Sequence, residues 1–481
     1  MKQLRTLLIN PPARDTKDEP MIIPPLGIAY LAAEATKAGF NVDLLDAFGE
    51  RLNWEQFEKR VKLRTYDVIG FSGMTPVFDT VKRAIKICRS LAPTLILGGP
   101  HATAFKENVF ADIPELDFIF IGEGERSFVE FLSRKQRNLP LLKIPGVIQS
   151  QRESNPAPAK GLDETLKEAR IADGLIPAIL IEDLDSIAFP LREKLPWQKY
   201  RYPLAEGQRV TTIISSRGCP YPCIFCDKGV FGSHWRGRSA QNVLQEIDEV
   251  VTIFQVDSII FYDDLFTLDK NRLKSICDGL IERQYKLSWK AEGRVNLVET
   301  ETLQLMKKAG CDTIAYGVES ANQQGLDFLR KKTTPTMALK AFYKTRKAGI
   351  KTMGYFILGI PVETYEDAQK TIQFAIDLRA DYAQFSILSP LPGTVLYQQA
   401  KENKWYAEVN AQNFFDKDQQ RPVILSENWS EEKLARIIKE AHRKFYFRPR
   451  YILKNLKSRL KSGNFSKLGN LGLGLLKYIL K

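Results

Sequence analysis

Short, continuously apolar runs alternate with helical runs along nearly the whole chain, and this alternation limits the fold more than any other feature. Thr6–Asn10, Asn41–Asp46, Asp67–Ser72, Thr94–Gly99 and Asp117–Gly122 read as strands. Between them lie helical stretches over Ile28–Ala38, Trp54–Leu63 and Val77–Ser90, and another begins at Arg126. Strands that are apolar on both faces and separated by helices belong to a parallel sheet covered on both sides. Five such strands predict an α/β, doubly wound, flavodoxin-like domain over 1–140, with its ligand beyond the carboxyl ends of the strands. Residues 141–205 are less regular and read as a connecting segment. From Gln208 the alternation resumes with a longer period. Strands are expected at Val210–Ser215, Ser258–Tyr262, Leu287–Lys290, Thr313–Val318, Thr352–Leu358 and Tyr382–Leu388. Six strand–helix units predict a partial (β/α)6 barrel over 206–400, followed by a helical C-terminal extension over 401–481.

Charge separates the body from the tail. The net charge is +13, yet residues 443–481 hold 11 Lys or Arg and no Asp or Glu, which leaves the first 442 residues at +2. A nearly neutral body gives no basic groove, so a nucleic-acid partner is not expected. The tail sequence from Pro449 to Lys461 places Ile452, Leu453, Leu456 and Leu460 on one helical face, with Arg450, Lys454, Lys457 and Lys461 around the other. Such a helix suits peripheral contact with an anionic leaflet, or docking of its Leu face on the body. No apolar run reaches the length of a membrane span. The first residues lack a secretory signal, and six cysteines are too few for a disulfide framework. The expected compartment is therefore the reducing cytoplasm, with the inner membrane face as a further address through the tail.

The cysteines concentrate chemistry at one place. Ser216-Arg-Gly-Cys-Pro-Tyr-Pro-Cys-Ile-Phe-Cys-Asp carries Cys219, Cys223 and Cys226 in the spacing C-x3-C-x2-C, just past the first strand of the second alternating region. Three thiolates can hold three irons of a four-iron cluster and leave the fourth open to a small molecule. The competing reading is a zinc site completed by His234, but the second ligand pair usual for zinc is missing. Cys88, Cys277 and Cys311 read as buried small hydrophobes. Arg217, beside the motif, reads either as a charge near the sulfurs or as a plain surface arginine.

The cysteine loop, with Phe225 before its last cysteine, resembles the radical S-adenosylmethionine (SAM) superfamily over most of 208–400. Asn10-Pro-Pro, Pro24-Pro-Leu-Gly-Ile-Ala-Tyr-Leu-Ala, Gly98-Gly-Pro-His-Ala-Thr and Gly122-Glu-Gly-Glu resemble the subgroup with an N-terminal cobalamin-binding domain. That subgroup includes cobalamin-dependent methylases and the anaerobic magnesium-protoporphyrin ester cyclase. The resemblance implies a [4Fe-4S] cluster, SAM and cobalamin as cofactors, and a flavodoxin or ferredoxin as reductant. It further implies reductive cleavage of SAM, hydrogen abstraction from an unactivated carbon and methyl delivery through cobalamin.

Residues at the expected strand ends match what SAM needs. Asp263 and Asp264 offer acceptors to its ammonium, although paired Asp at a strand end also suits a helix N-cap. Arg294 offers a cation to its carboxylate, Glu319, with Ser320 beside it at the strand end, an acceptor to its ribose, and Gly359 a close backbone approach to adenine. In the first domain, Ser72 and the Gly98–Gly99 pair end strands and match the family's cobalamin loops. The loop Asn10–Gly27 contains no histidine, which excludes a cobalt-ligating histidine there and leaves His101 as a remote candidate. Gly122-x-Gly124-x-x-Ser127 fails as a dinucleotide fingerprint, because it follows the fifth strand and lacks the third glycine.

The expected activity is radical methylation of a hydrophobic small molecule or lipid. Cyclisation of a tetrapyrrole is the enzymatic alternative, and an iron–sulfur electron-transfer protein the non-enzymatic one.

Overall fold

A computed structural model of the 481-residue chain describes residues 3–13, 21–150, 176–205, 207, 209–410, 420–449 and 451–453. The chain divides into two compact units. The first comprises 1–220, 228–266 and 271–289; the second comprises 221–227, 267–270 and 290–481.

The first unit is built on strands β1 (Arg5–Asn10), β2 (Asn41–Asp46), β3 (Val68–Ser72), β4 (Thr94–Gly98), β5 (Phe118–Phe120) and β6 (Val147–Gln149), in the spatial order β2-β1-β3-β4-β5-β6. β1 pairs in parallel with β2 and β3, as do β3 with β4 and β4 with β5, whereas β6 runs antiparallel on the edge. The first five positions have the doubly wound order, which reverses direction between β1 and β3 and opens a ligand crevice there. Two apolar cores lie on the two faces. Phe57, Val81, Ile85 and Val109 pack on one, and Ile28, Ala32, Phe128 and Phe131 on the other. That double burial is why β3 and β4 have no polar alternation. The five expected strands all form. β6 was not anticipated, because three residues, none of them buried, carry neither an apolar run nor an alternation.

The described part of the connecting segment is knitted into this unit. Ile181, Leu184 and Ile187 pack with Leu26 and Tyr30, and Leu195 and Tyr200 with Ile22 and Ala29. Tyr200 donates its hydroxyl to Asp46 at 2.7 Å, and Ala188 its amide to Glu34 at 2.6 Å. Arg192 is sealed against Glu246, which Arg238 also holds. Residues 151–175 of the expected connector lie outside the described residues.

The first unit also carries β7 (Val210–Ile213), the short antiparallel ribbon of β8 (Ser216–Arg217) and β9 (Arg236–Gly237), β10 (Ser258–Phe261) and the start of β11 (Ser288–Gly293). The second unit takes up the end of β11, then β12 (Cys311–Glu319), β13 (Lys351–Leu358) and β14 (Tyr382–Ile387). The strand order β7-β10-β11-β12-β13-β14 follows the chain, as successive right-handed strand–helix units produce. Helices Pro335–Lys347 and Tyr365–Asp377 start where the sequence supplies caps. Thr334 caps one ahead of Pro335, and Thr364 with Asp367 forms a capping box for the other.

The C-terminal extension, expected to be helical, also contains strands. It holds an antiparallel pair, β15 (Tyr406–Asn410) with β16 (Gln420–Ile424), before the helix Glu431–Tyr446. That helix closes the sheet edge. Tyr446 donates its hydroxyl to the Ala383 carbonyl at 2.6 Å and accepts the Ala383 amide at 3.2 Å. The expected basic helix is described only at its start. Tyr451 donates to the Asp381 carbonyl at 3.1 Å, and residues 454–481 lie outside the described residues.

Candidate functional site

In the first unit, the loops after β3 and β4 close on each other. Gly73 donates its amide to the Gly98 carbonyl, and His101 donates its amide to the Gly73 carbonyl, both at 3.0 Å. Gly99 has φ +96°, and a Cβ there would stand 2.9 Å from Ser72 Oγ, so only glycine serves. A side chain at Gly98 would meet only ordinary contacts, against Phe120. These backbone-lined turns suit a large planar ligand approaching the carboxyl edge of the sheet.

His101 lies deeper than a surface ligand would. It stacks on Phe78 at 3.4 Å and against Phe105 at 4.4 Å, and its Nδ1 is 3.2 Å from Thr75 Oγ1. Its buried Nε2 has no partner. Burial, helped by the Lys82 charge, lowers its pKa to about 4, so the ring is neutral at physiological pH.

Arg217 is not a surface residue. Its side chain is 3% exposed and bridges Glu123 at 3.1 Å and Glu125 at 2.6 Å. Burial opposes its charge, but the two carboxylates more than offset that and hold its pKa above the ordinary arginine value. His234, in contrast, is exposed beside Glu182.

Asp263 is buried as well. Its carboxylate accepts the Ser215 amide at 2.7 Å, the Ser215 hydroxyl at 2.5 Å and the Ser216 hydroxyl at 2.6 Å. With three donors on its carboxylate, Asp263 secures the turn from β7 into the cysteine motif. Its neighbour Asp264 is exposed and accepts the Gly218 amide.

In the second unit, Ile224 anchors the rest of the motif. It is buried with Leu329, Leu388 and Leu396, donates its amide to Leu329 and accepts that of Leu396. Cys223 and Cys226, on either side of it, remain partly or fully exposed. Cys88, Cys277 and Cys311 are buried, as expected. Burial raises the thiol pKa of Cys88 and Cys277 to about 12. Among the described residues no three His, Cys, Asp or Glu side chains are gathered to hold a metal ion. The fit to an iron–sulfur cluster therefore rests on the donor set: three accessible thiols in a spacing suited to three iron corners.

Arg294, just past β11, is buried at 4% exposure, and its Nε and Nη2 have no partner. Its Nη1 is 3.9 Å from Cys223 Sγ, and the guanidinium lies 3.7 Å over the Tyr221 ring. A buried guanidinium with two unused N–H groups calls for an anion, because leaving it unpaired is costly. A carboxylate-bearing cofactor meets that need.

Glu319 ends β12 at a register shift against β13 and has φ +67°, a strained conformation for a side chain of this type. Lys331 bridges it at 2.6 Å, a partner the sequence reading missed. Any Cβ on Gly317 would strike Glu319 and Lys331, so this glycine makes room for the pair.

Ser320 and Gly359 each meet other parts of the chain. Ser320 is fully buried and donates to Glu363 at 2.5 Å, while Asn322 donates its amide back to Ser320. Gly359 has φ +82°, and a Cβ there would stand 2.6 Å from Leu434 of the C-terminal helix, so its empty side is used for packing. Glu363, also missed, keeps one buried oxygen without a partner, and burial raises its pKa to about 7.

Comparison with known proteins matches residues 213–375 to the radical SAM superfamily and residues 20–132 to the B12 binding domain. An uncharacterized methyltransferase of Pyrococcus horikoshii is 31% identical over 461 residues, covering 95% of each chain. The anaerobic magnesium-protoporphyrin IX monomethyl ester cyclase of Cereibacter sphaeroides is 28% identical, over 93% of this chain and 74% of its own. Among solved structures, the radical SAM methyltransferase TsrM of Kitasatospora setae, with cobalamin and [4Fe-4S] cluster bound, superposes with a TM-score of 0.67 at 18% identity, over 91% of this chain and 82% of its own. That likeness bears out the expected pairing of a doubly wound domain with a partial barrel. With end-to-end identity to a relative and both matched regions in one chain, the protein belongs to the radical SAM superfamily, in the branch with an N-terminal B12-binding domain, whose enzymes work with SAM, a [4Fe-4S] cluster and cobalamin.

Proposed function

We propose that this enzyme methylates an unactivated carbon of a hydrophobic small molecule or lipid. Arg294 carries the reading: a buried cation with two unpartnered N–H groups, beside Cys223, is suited to the SAM carboxylate. Glu319, held in place by Lys331, accepts from the ribose hydroxyls. Cys219, Cys223 and Cys226 hold the cluster, and the Ser72 and Gly98–Gly99 turns hold cobalamin. Asp263 and Ser320 support the turns that present these groups. When bound, the cofactors supply a hydrogen-abstracting radical and a transferable methyl group, while the protein orients them and keeps water out. The functional regions are a cobalamin domain over 1–140, a connector over 141–205, a SAM core over 206–400 and an extension over 401–481.

A flavodoxin or ferredoxin delivers the electron, and the basic tail within 443–481 brings the enzyme to an anionic membrane surface. Among the described residues no helix is long and apolar enough to cross a membrane. Sedimentation with anionic vesicles tests the tail. The full chain is expected to pellet in a salt-sensitive manner, and a chain ending at Leu453 is not. Equal behaviour of the two would exclude an electrostatic anchor.

The activity test is anaerobic incubation with methyl-labelled SAM, a reductant and a membrane lipid extract. Deoxyadenosine, S-adenosylhomocysteine and label in the lipid fraction are expected together. The second reading, tetrapyrrole cyclisation, is favoured by similarity to the cyclase over 93% of the chain. It requires deoxyadenosine with magnesium-protoporphyrin monomethyl ester and no label transfer. Formation of neither nucleoside would sink both.

A further inference from the structure

Four charged side chains that the cofactor chemistry leaves unused lie sealed inside the first unit. Glu123 stands in the turn after β5, and Glu125 opens the helix Glu125–Gln136 that follows. Arg217 precedes Cys219 by two residues on β8, and Arg236 is its pairing partner on β9. Arg217 donates to Glu123 Oε1 at 3.1 Å and to Glu125 Oε1 at 2.6 Å, and Arg236 donates to Glu123 Oε2 at 2.9 Å. None of the four side chains is more than 8% exposed. Two carboxylates balance two guanidiniums, so removing any one leaves a buried charge uncompensated.

The set reaches Cys219 on one side. A Cβ on Gly218 would lie 2.2 Å from the His234 carbonyl, so only glycine fits between Arg217 and Cys219. On the other side it reaches the turn after β4. Gly122, adjacent to Glu123, donates its amide to Thr103 Oγ1 at 3.0 Å, and Thr103 donates that hydroxyl to the Gly99 carbonyl at 3.0 Å. One continuous polar path therefore runs from Gly99 through Thr103, Gly122, Glu123 and Arg217 to the cysteine loop.

We propose that Glu123 and Glu125 are positioning residues that couple the two cofactor sites, so that filling the cluster site tightens cobalamin binding and the reverse. The coupling rests on the reading that the Ser72 and Gly98–Gly99 turns hold cobalamin. Linkage makes the two effects equal whatever the route, and each occupant favours the same arrangement of the shared turn. A path of contacts is not itself coupling, and the measurement must be of affinity.

The test is titration of cobalamin, followed by its absorbance, into the full-length protein before and after iron–sulfur reconstitution. The reconstituted wild type is expected to bind cobalamin about fivefold more tightly or better. Thr103→Val removes the hydroxyl link without stranding a charge, and is expected to bring the affinity ratio close to one while both cofactors still bind. Glu125→Gln is expected to lower the ratio and to speed iron loss to a chelator, with partial rescue by Glu125→Asp. A ratio of one in the wild type, or an undiminished ratio in Thr103→Val, would overturn the coupling. No cobalamin binding by the wild type would overturn the assignment of the Ser72 and Gly99 turns, and the coupling with it.

Discussion

At the scale of single residues, the site sorts into groups left open and groups already satisfied. Arg294 is open, and Arg294→Met is expected to weaken SAM binding by roughly tenfold to a hundredfold, the loss of a charge-assisted bond, while iron content stays unchanged. Equilibrium binding of SAM beside an iron assay checks both halves. Glu363 allows a pH prediction. Its folded pKa, about 7, lies above its ordinary 4.5, so the folded state holds its proton more tightly than the unfolded chain does. The stability this confers is complete below about pH 4.5 and is lost as pH rises through about 7, a swing of roughly 3 kcal/mol. Glu363→Gln is expected to flatten the melting temperature between pH 5 and pH 8, where the wild type declines. An equal decline in both would place the titration elsewhere. Arg294, Glu319 and the three cysteines were legible as candidate positions because strand ends gather function on such folds. Asp263 and Ser320 were legible as positions but not as roles. Their partners, Ser215 and Glu363, are 48 and 43 residues away, and no local pattern marks which acceptor a hydroxyl will choose. Lys331 had a signal that went unused: a carboxylate buried on a strand requires a neutralising partner nearby.

At the scale of elements, the strands were readable because burial on both faces writes an unbroken apolar run. β6, β15 and β16 were not, since each pairs at an edge where no such run is needed. The helix Glu431–Tyr446 shows how an edge is protected. The Tyr446 hydroxyl occupies both free groups of Ala383, which would otherwise present an open ladder position on β14. Tyr446→Phe is expected to cost about 1–2 kcal/mol for its two bonds and to lower the melting temperature by several degrees. Gly359→Ala forces a side chain into Leu434 at a left-handed φ and is expected to cost about 1–3 kcal/mol. Differential scanning calorimetry checks both. An unchanged melting temperature in Gly359→Ala would mean that Leu434 yields freely.

At the scale of the whole molecule, the two cysteine populations separate structure from chemistry. Anaerobic reconstitution is expected to give about four irons per chain in the wild type and in Cys88→Ala, Cys277→Ala and Cys311→Ala. It is expected to give almost none in Cys219→Ser, Cys223→Ser or Cys226→Ser. Iron measured colorimetrically, with the visible absorbance of the cluster, decides the matter, and one zinc per chain without iron would replace the cluster by a structural metal.

The sealed pairing of Glu123 and Glu125 with Arg217 and Arg236 constrains how such a chain can be recombined. A crossover anywhere between residues 126 and 216 exchanges the carboxylates of one parent for those of another while leaving the guanidiniums behind. If the incoming turn lacks either acid, a buried positive charge is left without its counter-charge. The two halves of this protein are therefore expected to be inherited as a matched set, and hybrids between relatives to fold only when all four positions travel together.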